Sequence, residues 1–276
     1  MVPVPAPAAA PPVVELIGLT RRFGNFTAVD RVSFAVAHGE AFGLIGANGA
    51  GKSTIIRILT TLLPPTEGTV LVAGFDVVRQ AGEVRRRIGY VPQLLSADGA
   101  LTAWENLLLS ARLYGIPPRA VRPRIDQALA AMELTPFAHR LVQGFSGGMI
   151  RRLEVAQSML HRPAVLFMDE PTVGLDPVAR RAVLDHVAEL RRRLGTTLVV
   201  TSHYMEEIDV LCDRLAVLNQ GRLVALGTPA ALKAAVGPGA TLDDVFAALS
   251  GGAAESDQAE DYSDVRQSRR AASSHA

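Results

Sequence analysis

The sequence predicts an α/β protein built on a parallel sheet. Three observations lead there. The run Gly46-Ala47-Asn48-Gly49-Ala50-Gly51-Lys52-Ser53-Thr54 fits G-x-x-x-x-G-K-[ST], the phosphate-binding loop, between apolar Ala41–Ile45 and helical Ile55–Leu59. Apolar runs of strand length alternate with helical stretches on either side of it. Four of these runs end in polar residues: the loop itself, Gln93, Asp169-Glu170 and His203. In an open parallel sheet, ligands bind beyond the carboxyl ends of the strands.

The chain has 276 residues, 49% of them hydrophobic, enough for a large core. Its net charge of +1 gives no field that would select nucleic acid or an anionic membrane. The densest basic clusters, Arg85-Arg86-Arg87 and Arg191-Arg192-Arg193, read as solvated helix ends. Cys212 is the single cysteine, so no internal disulfide forms. Met1–Pro12 is rich in Pro and Ala and lacks the basic start and apolar core of a signal peptide; it reads as a disordered arm. No apolar run reaches the roughly 20 residues of a membrane helix.

In chain order, Val13–Leu19 and Val32–Val36 read as strands, the second with strict alternation. His38-Gly39-Glu40 is a turn into the loop strand, and His38 a turn residue. The helix after Lys52 should run to about Leu63, where Pro64-Pro65 stops it. Gly68–Val72 is a strand, Gly74-Phe75-Asp76 a turn, Val84–Arg87 a short helix and Ile88–Val91 a strand ending at Pro92-Gln93. Thr102 and Glu105 then form a capping box. Helices are expected over Trp104–Tyr114 and Pro118–Leu134, in a helical subdomain spanning about 94–157 with no strand. Trp104 is read as packing there.

Strand and helix alternate again from Ala164–Met168, a continuous apolar run as expected of a strand covered on both faces. Asp176-Pro177 is a cap followed by a first-turn proline, and Gly195 stops that helix. Thr196–Thr201 is a strand and Tyr204–Leu211 a helix. Leu215–Leu218 and Arg222–Leu226 form a hairpin. Short helices over Ala230–Ala235 and Leu242–Leu249 make a C-terminal extension, 228–250. Residues 251–276 are Ser, Ala, Gln and charge, and are expected to be disordered.

The loop's residue types follow from its ligand. Small residues let backbone N–H groups approach phosphate oxygens. The helix opening at Gly51 offers unpaired N–H groups and a positive dipole end. Lys52 adds a full charge near the β- and γ-phosphates, and Ser53 a hydroxyl for Mg²⁺. A dinucleotide fingerprint fails, because Asn48 stands where its second glycine should be. Asp169 is placed to hold Mg²⁺, and Glu170 to orient or deprotonate the attacking water. Gln93 is a candidate for Mg²⁺ or that water, and His203 for the γ-phosphate.

Phe145-Ser146-Gly147-Gly148-Met149, before the acidic strand and opening a helix, resembles the signature motif of ATP-binding cassette (ABC) proteins. The resemblance covers Val13 to about Gly227, with the elements in the family's order: Phe23, the loop, Gln93, the signature, Asp169-Glu170, Gly174-Leu175-Asp176 and His203. It implies a P-loop NTPase (RecA-like) core with an antiparallel β subdomain and an inserted α-helical subdomain. It further implies an ATPase working with ATP and Mg²⁺. Two copies would form a homodimer sandwiching each ATP between one subunit's loop and the other's Ser146, Gly147 and Gly148. Phe23 matches the ring that stacks on adenine, Asp176 the loop linking the two sites, and Gln93 the relay towards a separate multi-span membrane permease. That partner would dock around Leu101–Tyr114, at the cytoplasmic face of the membrane. Met149, Phe145 and Phe23 replace the family's usual Gln, Leu and Tyr, while the Ser-Gly-Gly core is intact.

Phe145–Met149 together with Thr241–Phe246 resembles, more narrowly, the ATP-binding subunits of ABC-2 type exporters, in particular the daunorubicin and doxorubicin resistance group. The alternative is a soluble ABC ATPase acting on nucleic acid, ribosomes or an assembly. Such proteins commonly carry two cassettes or a coiled-coil insertion, and this chain has neither. A kinase-like phosphoryl-transfer enzyme would lack the signature.

Overall fold

The computed structural model describes residues 11–250. The expected tail over 251–276 and all but the last two residues of the expected N-terminal arm lie outside the described residues.

The chain opens with β1 (Val14–Phe23) and β2 (Phe26–Val36), an antiparallel hairpin in which Phe23 faces Phe26. Both strands run further than the sequence reading. After the loop strand β3 (Ala41–Gly46) comes α1 (Lys52–Leu59). This helix stops four residues short of the expected Leu63. Thr61 takes a left-handed φ of 65°, and the N–H groups of Leu62 and Leu63 turn back to the Arg57 carbonyl. The capping turn ends the helix before Pro64 is reached.

β4 (Glu67–Val72) and β5 (Phe75–Asp76) complete a four-stranded antiparallel sheet in the order β2-β1-β4-β5. Phe75 and Asp76 are strand residues here, not the expected turn. The turn is Ala73-Gly74, both at positive φ, the backbone a two-residue hairpin needs.

α2 (Ala81–Arg87) leads into β6 (Ile88–Val91). The next helices are α3 (Ala103–Leu113), α4 (Pro118–Ala131) and α5 (Gly147–Met159). The Thr102–Glu105 capping box is present in full. Then follow β7 (Val165–Asp169), α6 (Pro177–Leu194), β8 (Thr197–Thr201), α7 (Met205–Leu211), β9 (Arg214–Asn219) and β10 (Arg222–Gly227). α8 (Pro229–Val236) and α9 (Leu242–Ser250) close the described chain.

The second sheet has the order β10-β9-β3-β8-β7-β6 and is parallel except for its β10 edge. Its strands are covered on both faces, and alternate residues divide between them. Phe42 and Leu44, Val165 and Phe167, and Val199 point to the side of α1 and the antiparallel sheet. Ala41 and Ile45, Leu166 and Met168, and Leu198 and Val200 point to the side of α3 to α7 and α9. A helix of eight residues is marginal alone. Burial of Ile55, Ile56, Ile58 and Leu59 between the two sheets, about 1.5–3 kcal/mol each, holds α1 in place. Its first turn, and with it Lys52, is thereby fixed beyond the end of β3.

Candidate active site

The loop between β3 and α1 has no space for larger residues on its inner side. A Cβ on Gly46 would lie 2.6 Å from the Leu218 carbonyl oxygen and 2.9 Å from the Ala50 Cβ. Gly49 and Gly51 have φ of 76° and 101°, which glycine adopts without strain. Ala47, Asn48 and Gly49 are exposed at the rim, while Ala50, Gly51 and Lys52 are buried below. Thr54 is half-buried in the first turn of α1. The result is a small concave cradle at a helix N-terminus, a shape and polarity that fit phosphate.

The Lys52 ammonium is buried, donating to the carbonyls of Gly46 (2.8 Å) and Ala47 (3.1 Å), with Glu170 Oε1 at 3.8 Å. Burial lowers its pKa, and Glu170 and Asp169 work against that. Ser53 Oγ donates to Asp169 Oδ1 at 3.2 Å. A hydroxyl beside a carboxylate is an all-oxygen donor set, which suits a hard cation such as Mg²⁺.

Glu170 follows β7 directly. Its φ of 47° is a strained, left-handed backbone for a non-glycine residue. Its N–H is held by the Thr201 carbonyl (3.2 Å) and the Thr201 hydroxyl (2.9 Å). Its carboxylate accepts from Gln93 Nε2 at 3.2 Å and lies 3.4 Å from His203 Nδ1. The hydrogen bond with His203 lowers the Glu170 pKa, burial opposes it, and the Lys52 charge lowers it again. An ionised carboxylate in this position can accept a proton from a water directed at a phosphate in the cradle.

The structure therefore brings Lys52, Ser53, Gln93, Asp169, Glu170 and His203 into one cluster at the carboxyl ends of four neighbouring strands. The other predicted residues stand apart from it. Phe23 lies at the tip of the β1–β2 hairpin, 46% exposed, with the Arg21 guanidinium 4.5 Å from its ring centre. Ser146 caps α5 by accepting from the Met149 N–H. Gly147 and Gly148 open that helix, and a Cβ on Gly148 would meet the Ala179 Cβ at 2.8 Å. Asp176 caps α6 by accepting from the N–H groups of Val178 and Ala179. The described hydrogen bonds of Ser146 and Asp176 do not reach the Lys52–Glu170 cluster.

Sequence reasoning missed Thr201. Its buried hydroxyl donates to Asp169 Oδ1 at 2.7 Å while accepting from the Glu170 N–H, so it sets both acidic residues. The signal was a hydroxyl at the end of a run of apolar residues, in parallel register with Asp169. Glu207 was also missed. It accepts from Thr172 Oγ1 (2.8 Å) and Ser202 Oγ (3.1 Å), with Arg180 at 3.4 Å. Burial raises the pKa of Glu207, and these hydroxyls oppose it.

A family model described as ABC transporter matches residues 29–173, more than half of the chain. This chain belongs to the ABC transporter family. The cassette is 39% identical over 216 residues to the linearmycin resistance ATP-binding protein LnrL of Bacillus subtilis, covering 78% of this chain and 69% of LnrL. It is 43% identical over 224 residues to the daunorubicin resistance ATP-binding protein DrrA3 of Streptomyces coeruleorubidus, covering 81% and 71%. Among solved structures it resembles a dimeric, post-hydrolysis state of the ATP-binding cassette MJ0796 bound to ADP and Pi. There the identity is 27% and the TM-score 0.69, over 78% of this chain and 98% of that one. The ABC chain is thus an ATP-binding subunit of a transporter and an ATPase. Among the described residues no helix is long and apolar enough to cross a membrane.

Proposed function

We propose that this ABC ATPase supplies the energy for an ABC-2 type exporter of drugs or other hydrophobic small molecules. It would work with a separate multi-span membrane permease, from the cytoplasmic face of the membrane. One observation supports the coupling above others. Gln93, bonded to Glu170, is followed at once by Leu94 and Leu95, which are 82% and 47% exposed. Leu109 and Leu113 of α3 are exposed as well. An apolar surface next to a residue that touches the reacting centre gives a partner chain a handle on ATP occupancy. The resistance roles in the names of LnrL and DrrA3 support the class of cargo.

In this reading the cradle at Gly46–Thr54 holds the triphosphate, with the Lys52 charge towards its terminal oxygens, and Phe23 stacks on adenine. Ser53, Asp169 and Gln93 would hold Mg²⁺, which neutralises charge on the β- and γ-phosphate oxygens. Glu170 accepts the proton of the attacking water, and His203 holds Glu170 and the γ-phosphate in place. Two copies pack head to tail, so that Ser146, Gly147 and Gly148 of each close over the ATP of the other and Asp176 links the two sites. Work is done because ATP favours the closed pair and ADP does not; equal affinity for both states would shift nothing.

The test is a pull-down of the protein from gently solubilised host membranes. A stoichiometric multi-span membrane chain is the expected companion. Recovery of ribosomal, DNA-associated or other soluble chains alone, from a preparation in which other membrane complexes stayed intact, would replace the exporter with a soluble ATPase.

A further inference from the structure

We infer that Arg151 and Glu154 form a buried clamp through which α5 sets the position of Gln93, which makes both of them positioning residues for ATP turnover. The inference rests on the proposed roles of Gln93 and Ser146.

Arg151 and Glu154 stand three residues apart on α5 and pair at 2.9 Å, with side chains 1% and 2% exposed. The terminal guanidinium nitrogens of Arg151 and the Oε1 of Glu154 converge on the loop after β6, while the buried Arg151 Nε has no hydrogen-bond partner. Arg151 donates to the Pro92 carbonyl and to the Gln93 carbonyl, each at 2.6 Å. Glu154 Oε1 accepts from the Ser96 N–H, from Ser96 Oγ at 3.1 Å and from the Ala97 N–H at 3.3 Å. The pair thus holds the main chain of 92–97 from both ends.

Stability alone does not call for charges here. Burying an ion pair costs desolvation, and apolar residues of similar volume often replace such a pair without loss. The pair also takes up hydrogen bonds from the loop backbone, although residues 93–96 are exposed. The position of the grip is what points to turnover. Arg151 holds Gln93 by its own carbonyl, and the Gln93 side chain donates to Glu170. At its other end α5 begins at the Ser146 cap, five residues or roughly 7–8 Å along the helix axis from Arg151. That start also packs on α6 through Gly148 and Ala179. A shift of α5 when Ser146 meets the ATP of a second copy therefore reaches Gln93 through a rigid helix and hydrogen bonds at 2.6 Å. Each site would sense closure of the other through it.

The experiment is steady-state ATP hydrolysis by the full chain, E154Q, R151M/E154L and Q93A, and by each clamp variant combined with Q93A. R151M/E154L removes both charges, so no unpaired charge is left to unfold the core. Amide hydrogen exchange over 92–97 is followed in parallel. Each clamp variant should lower kcat by about 10- to 100-fold, the scale on which misplacement by an ångström acts, with KM for ATP little changed. Exchange should rise at Ser96 and Ala97 above the rest of the sheet. Adding a clamp change to Q93A should lower kcat no further than Q93A alone. Effects that multiply, or wild-type turnover in folded R151M/E154L, would overturn the clamp while leaving the role of Gln93 intact. Wild-type turnover in Q93A would remove the role of Gln93, and the clamp with it.

Discussion

Thr201→Val removes one oxygen from the centre of the site and leaves its shape. Thr201 is fully buried, so no water replaces the lost hydroxyl. Asp169 Oδ1 loses a 2.7 Å donor and keeps Ser53 at 3.2 Å; the Glu170 N–H loses its 2.9 Å acceptor and keeps the Thr201 carbonyl at 3.2 Å. A hydrogen bond to a charged group contributes about 1.5–3 kcal/mol, and the Glu170 contact, which retains a substitute, contributes less. Valine fills the same volume, so no cavity term is added. The expected loss is about 2–3 kcal/mol, or about 4–12 °C in Tm for a domain of this size. Differential scanning calorimetry at neutral pH reads it directly. Turnover should fall too, because the strained φ of Glu170 is held by the lost bond. A Tm within 1 °C of wild type, a threshold set by the roughly 2–4 °C expected per kcal/mol, together with wild-type turnover, would refute the idea that Thr201 sets the acidic pair.

Other outcomes follow from the same geometry. Phe23→Ala should change stability by no more than about 0.5 kcal/mol, since the ring is exposed. It should weaken ATP binding by about 0.5–1.5 kcal/mol if the ring stacks on adenine, read by nucleotide titration; unchanged affinity would remove that role. Gly46→Ala forces a Cβ against the Leu218 carbonyl and should cost about 1–3 kcal/mol along with ATP affinity; a wild-type Tm and Kd would show that the cradle tolerates a side chain. The pKa of Glu170 lies below its ordinary 4.5, chiefly through His203, so the stability it contributes is complete above 4.5 and is lost as pH falls through the lower folded value. The stability difference between wild type and Glu170→Gln should shrink as pH falls below 4.5; a difference that grew on acidification below that value would mean that the carboxylate is not the stabilised form in the folded state.

The α/β core was legible because its strands announce themselves twice. Ala164–Met168 is apolar throughout, as both faces are covered, and its polar end marks the site. The helix boundary at Leu59 was not legible, because a left-handed Thr61 ends α1 and threonine gives no glycine-like signal there. Phe75-Asp76 failed for a related reason: a two-residue strand carries no periodicity to read. Within the site, the residues that end strands could be grouped from topology alone. Thr201 is such a residue too, the last of β8, and its hydroxyl was passed over at the end of an apolar run. Glu207, Arg151 and Glu154 could not be read, because their partners lie 35 and nearly 60 residues away in sequence and only the folded register brings them together.

In the proposed cycle the cassette closes on ATP with a second copy and opens when Glu170 has acted. Light scattering of Glu170→Gln with MgATP, beside its ATPase rate, tests it most directly. Turnover should be lower by on the order of 10²-fold or more, with a particle of twice the 29.3 kDa chain mass that falls back to one chain with ADP. A variant that hydrolyses ATP at the wild-type rate, or that binds ATP and stays at the mass of one chain, would contradict it.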